Sequence, residues 1–183
     1  ILFLFTNFYF VECNHANCSI KNANNSVCQT VSEMDWERGL WNAAFSGDEE
    51  KVYMLISKAR DAREIVNTVD NAGYSPLHYA ARGGHVNICD ILLKHGAIID
   101  AETRSGKATP LHKAAAAGKL TTVKFLIKNG ACVDKQDIDG QTALHKAIQN
   151  KRYDLIKTLT DACPHITNIR DNKGNLPNDP SLG

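Results

Sequence analysis

A chain of 183 residues of which 43% are apolar is long and hydrophobic enough to bury one continuous core, which excludes a wholly disordered polymer. Its 21 basic and 20 acidic residues leave a net charge of +1, and no run of clustered Lys and Arg is available to neutralise many phosphates. Nucleic acid is therefore not expected as a partner.

Taken in chain order, residues 1–29 form a polar tail with an apolar start. The run Ile1 to Val11 is shorter than the roughly 20 apolar residues a membrane span needs, and it lacks the basic start of a signal peptide. It reads as a truncated or mistranslated end of a disordered tail, with a hydrophobic anchor as the alternative, so membrane association is not the expectation. Cys13, His15, Cys18 and Cys28 offer four zinc-ligand types, but their spacing is irregular where zinc sites set two close pairs across a loop. No metal or cofactor is expected; a metal- or thiol-active protein using these cysteines is the rival reading. The sequons at Asn17 and Asn24 would matter only in a secreted chain. Cys89, Cys132 and Cys163 fall in periodic segments as core filling. Without a disulfide framework, a reducing compartment is expected, cytoplasm or nucleus.

From residue 30 the chain becomes periodic. Thr30-Val31-Ser32-Glu33 has the pattern of a capping box that opens a helix. Leu40 to Asp48 then begins a degenerate first unit, residues 30–69, with Trp41 where later units carry His. Ser75-Pro76-Leu77-His78, Thr109-Pro110-Leu111-His112 and Thr142-Ala143-Leu144-His145 recur about one third of a hundred residues apart. They define units over residues 70–102, 103–136 and 137–170, and residues 171–183 resemble the start of a fifth. The third unit has one extra residue ahead of its Thr. In each tetrapeptide the hydroxyl caps a helix, Pro suits its first position, Leu enters the core, and the two imidazole nitrogens can bridge hydroxyl and backbone. Paired alanines allow close helix approach. Gly83-Gly84 and Gly118 break the chain before a second helix with apolar residues at i, i+3 and i+4. One such pair cannot hide its apolar faces unless it stacks on copies of itself.

The turn glycine, the Thr-Pro-Leu-His type of helix start, the double Ala and the closing Gly-Ala resemble the ankyrin-repeat family over residues 34–176. The resemblance implies an all-α solenoid of stacked helix-turn-helix units joined by β-hairpin-like turns, a role as adaptor or scaffold, no enzyme activity and no small-molecule substrate. It also implies binding of a protein partner through the turn tips and the exposed edge of the short helices, with the chain acting as a monomer. Mapped onto this sequence, the tips offer Asn71, Tyr74, Arg104, Lys107, Ile138, Asp139 and Gln141, and the short helices offer Phe45, Arg82, Lys113, Gln149 and Asn150. His78, His112 and His145 hold the same place in every unit, which argues for a structural ladder over a catalytic or metal site. Lys113 and Lys146, with Arg82 and Arg104, would make the concave side mildly positive and suited to an acidic or phosphorylated peptide.

Overall fold

The computed structural model describes residues 31–177. The tail readings, and the capping box that rests on Thr30, lie outside the described residues. Within them regular structure is helical, with no strand. The helices are α1 (Val31–Ser46), α2 (Glu49–Lys58), α3 (Ala62–Val66), α4 (Pro76–Gly83), α5 (Val86–Lys94), α6 (Pro110–Ala117), α7 (Leu120–Lys128), α8 (Ala143–Gln149) and α9 (Ile156–Ala162). Short 3-10 turns at Tyr153–Leu155 and Pro164–Asn168 flank α9. Helices α1, α4, α6 and α8 pack side by side in one row, and α2, α5 and α7 pack in a second row continued by the 3-10 turn at Tyr153. This is the stacked solenoid that the repeat implies.

The two rows enclose one core running from Leu40 to Ile166. Leu77, Leu111 and Leu144 are at most 1% exposed, and so are Ala43, Ala44, Ala80, Ala81, Ala114, Ala115 and Ala147. Small residues on the touching faces let backbones approach, and each buried Leu contributes about 2 kcal/mol of transfer free energy. In the second row Val52, Leu55, Ile56, Ile88, Ile91, Leu92, Val123 and Leu126 face inward, as the i, i+3, i+4 spacing predicts. Asp48 caps α2 through the Lys51 N–H at 3.0 Å, with Glu49 and Glu50 in the first turn, where the helix dipole favours them. Helix α3, capped by Asp61, is an addition that the periodicity does not reveal.

Two ladders of hydrogen bonds fix the stacking. In the first, the Ser75 N–H donates to Nδ1 of His78 at 3.1 Å, and the Ser75 hydroxyl lies 2.9 Å from the same nitrogen. Since Nδ1 accepts from the backbone, the ring proton sits on Nε2, which donates to the Ala108 carbonyl of the next unit at 3.0 Å. His112 repeats this with Thr109 and the Gln141 carbonyl, and His145 with Thr142 and, at a longer 3.4 Å, the Asn175 carbonyl. The imidazoles thus bridge between units and not only within a helix start.

The second ladder joins the tips. Asp70, Asp137 and Asp171 each accept two backbone N–H groups of their own turn, and Thr103 takes that place in the third unit by accepting from Ala108. Successive tips are then stitched by Arg104 N–H to the Ala72 carbonyl, Ile138 N–H to Gly106 and Asn172 N–H to Asp139. Gly106 is the glycine that precedes the helix start of the third unit. The structure instead puts Lys107 in the left-handed position, at φ 48°, where Gly73 and Gly140 stand at 87° and 75°. The inserted residue widens the tip and shifts Gly106 one place ahead of the slot.

Candidate functional site

The residue after each ladder histidine occupies one repeated position on the exposed edge of the short helices. It is Tyr79 in the second unit, Lys113 in the third and Lys146 in the fourth. Tyr79 donates its hydroxyl proton to Asp70 at 2.7 Å, and Lys146 pairs with Asp137 at 2.6 Å. Each thereby gives the carboxylate of its own turn a side-chain donor. The third unit breaks this rule, because its turn carries Thr103. Among the described residues Lys113 meets no carboxylate and reaches back to the previous unit, donating to the Tyr74 hydroxyl at 2.8 Å with Nζ 4.7 Å from the ring centre.

This contact extends a strip of aromatic rings. Tyr74 packs on Tyr79 with centroids 5.7 Å apart, Tyr79 meets Phe45 edge-on at 6.4 Å, and the Arg82 guanidinium lies 6.0 Å from the Phe45 ring centre. Phe45 remains 48% exposed. Beyond Lys113 the surface sinks into a cleft of about 380 Å³ floored by Ala116 and bounded by Gly106, Ile138, Asp139 and Lys146. Aromatic and Arg side chains of this kind dominate interface energetics, and the small Ala116 makes the room.

Electrostatics follow from these partners. Burial alone would raise the Asp70 carboxyl, but hydrogen bonds from Tyr79 and from the N–H groups of Tyr74, Ala72 and Gly73 outweigh it and hold the group below its ordinary value. The same balance, with Lys146 as the principal donor, holds Asp137 down. Burial first, then the Asp70 carboxylate, push the Tyr79 phenol up to about 12. Burial lowers all three ladder histidines, His78 to about 4. A neutral imidazole locked between two backbone groups has no free nitrogen for substrate.

Most of the site residues expected from sequence lie where a partner can reach them. Asn71, Arg82, Arg104, Lys107, Ile138, Asp139, Asn150 and Phe45 are exposed, and Tyr74, Lys113 and Gln149 are half-buried. Phe45, Arg82, Tyr74 and Lys113 form one connected strip. Gln141 departs from expectation. It is 9% exposed, its side-chain oxygen accepts from Lys146 at 2.6 Å and its carbonyl serves His112, so it is a structural residue of the fourth tip. Tyr79, Asp70 and Asp137 were not expected, although Tyr79 shares the register of Lys113 and Lys146. Among the described residues no group of three His, Cys, Asp or Glu side chains is placed to hold a metal ion, and no helix is long and apolar enough to cross a membrane. The Cys89 thiol is buried, which pushes it up to about 12, away from nucleophilic use.

Comparison with known proteins places these features. A family model described as ankyrin repeats (3 copies) matches residues 11–103 and 98–171. Human ankyrin repeat domain-containing protein 39 is 49% identical over 86 residues, 47% of this chain and 45% of that protein. Its bovine counterpart is 50% identical over 68 residues, 37% of this chain and 35% of its own length. The chain thus spans less than half the length of these relatives. Mouse 2-5A-dependent ribonuclease is 39% identical over 69 residues, 38% of this chain but 9% of that protein.

Proposed function

Because the chain belongs to the ankyrin-repeat family, whose repeats are protein-interaction modules, we propose that it is a non-catalytic adaptor that grips a partner protein along its short-helix edge and turn tips. The observation that carries this reading is the uneven use of side chains on that face. Asp70, Asp137, Gln141 and the three imidazoles are consumed in holding the units in register, whereas Phe45, Arg82 and Arg104 stand exposed and Ile138 borders a cleft with room for a side chain. Large apolar and Arg side chains held on a rigid scaffold are what an interface requires. The protein acts as a monomer and without cofactor in this reading, in the cytoplasm or nucleus, where a core built by stacking needs no disulfide.

The test is affinity capture from cell extract by the full chain, in parallel with Ala116→Arg, which fills the cleft, and Lys124→Glu, which changes an exposed residue of α7 in the second row. A prey retained by Lys124→Glu and lost by Ala116→Arg supports the reading. Capture unaffected by Ala116→Arg, or lost only with Lys124→Glu, contradicts it.

A further inference from the structure

We infer that the partner segment is an acidic peptide whose carboxylate side chain seats against Lys113, with an apolar or aromatic residue stacked on Phe45 and Tyr79. The inference rests on the concave-face reading above and names its ligand chemistry. Its ground is the broken rule of the third unit. In the units on either side, the residue after the ladder histidine serves its own turn aspartate, through a Tyr79 hydrogen bond to Asp70 and a Lys146 ion pair with Asp137. Replacing that aspartate by Thr103 removes the internal anion and leaves one cation, Lys113, facing a phenol in the middle of the face. A half-buried ammonium lacking a counter-charge is stabilised by an incoming carboxylate more than an exposed lysine would be, because part of its hydration is already lost.

The cleft also selects among anions. Lys146 at its far wall is committed to Asp137 at 2.6 Å, and Asp139 stands on the rim, so among the described residues Lys113 is the lysine of the cleft without an ion pair, and two carboxylates lie close. A singly charged Glu or Asp side chain matches that balance. A phosphate dianion brings a second charge towards Asp137 and Asp139, which is repulsive. The second anchor lies two units away. The ring-to-ring steps from Lys113 through Tyr74 and Tyr79, 4.7, 5.7 and 6.4 Å, put Phe45 within about 17 Å of the ammonium, a distance spanned by about five residues of extended chain. The ligand therefore carries an aromatic or branched apolar residue within about five positions of its acid.

The experiment uses the full chain to select from a phage-displayed library of random peptides of about twelve residues, long enough to span both anchors, and measures synthetic copies of enriched peptides by fluorescence anisotropy. Enriched peptides should pair an Asp or Glu with an apolar residue at the expected spacing, and bind more weakly as salt rises. Lys113→Ala should weaken binding about tenfold, the loss of one charge-assisted contact. The decisive variant is Thr103→Asp, which keeps Lys113 but supplies the internal ion pair found in the fourth unit, and should weaken binding to a similar degree. Enrichment of neutral or basic peptides, no enrichment at all, or Glu-containing peptides indifferent to Thr103→Asp overturns the inference. Tighter binding of a phosphoserine version than of its Glu parent overturns the choice of carboxylate. Ala116→Trp, which fills the cleft without adding charge, separates the two readings: non-acidic peptides lost in that variant sink only this inference, and peptides it leaves bound count against the concave face itself.

Discussion

The ladder imidazoles are where single residues control stability. His78 is buried, and protonating Nδ1 would remove the acceptor for the Ser75 N–H and place a charge in the core. Its value is therefore depressed from 6.5 to about 4, while the unfolded chain keeps the ordinary one. Between those two values the unfolded state binds the proton and the folded state does not. Stability is thus full above about pH 6.5 and falls as the pH drops towards 4, by roughly 3 kcal/mol for this one group. His112 and His145 shift the same way, whereas Asp70 and Asp137 are held below their ordinary value of 3.8 and lose their contribution only at lower pH. Urea midpoints measured across this window should fall with pH for the native chain and fall less steeply for His78→Gln; a flat native profile would contradict the assignment. A second residue stands out in α7. Thr122 is fully buried with its hydroxyl unpartnered, in the position held by Ile88 and Leu155 in adjacent units. Thr122→Val should stabilise the protein by about 1 kcal/mol in urea denaturation, the cost of an unsatisfied hydroxyl, and a loss of stability would show that the hydroxyl has a partner after all.

At the scale of elements, the turns and helix breaks reveal how much the repeat encodes. Gly47, Gly84 and Gly118 share a left-handed slot at the end of each short helix, and in the fourth unit Lys151 fills it at φ 56°. Lys107 does the same among the tips. A side chain in that region costs roughly 1 kcal/mol, so Lys107→Gly and Lys151→Gly should each raise the thermal midpoint by a degree or more. Gly73→Ala should lower it sharply, since its Cβ would lie 2.3 Å from the Arg104 backbone nitrogen on top of an unfavourable φ. A higher midpoint for Gly73→Ala would contradict the tip ladder. The periodic features, namely the helix starts, the alanine faces and the second-row apolar spacing, were legible in the sequence because each recurs in step. What was not legible depends on the third tip, where the insertion moved the left-handed position off Gly106 and Thr103 left Lys113 without a turn aspartate. That pairing is seen only when Thr103 is aligned with Asp70 across a gap. Gln141 was misplaced for a similar reason: it looks like a solvated tip residue, yet the preceding unit's His112 and its own unit's Lys146 close over it. Helix α3 has a counterpart only in the 3-10 turn at Pro164–Asn168 of the fourth unit, so no period shared by all units announces it.

For the whole molecule, stacking makes each unit depend on its neighbours. Both tryptophans, Trp36 and Trp41, lie in the first unit, whereas helical circular dichroism reports on every unit. Urea unfolding followed by the two signals should coincide in one transition, and an earlier fluorescence transition would show a first unit that is not coupled to the rest. The same coupling holds the short-helix edges of successive units in one rigid row, which is the property a binding face needs. The measurement that tests this most directly is hydrogen exchange of the full chain alone and bound to a captured partner or a selected peptide. Protection is expected on α4, α6 and α8 and on the tips around Asn71, Arg104 and Ile138, with α5 and α7 unchanged. Protection confined to the second-row helices would contradict the account.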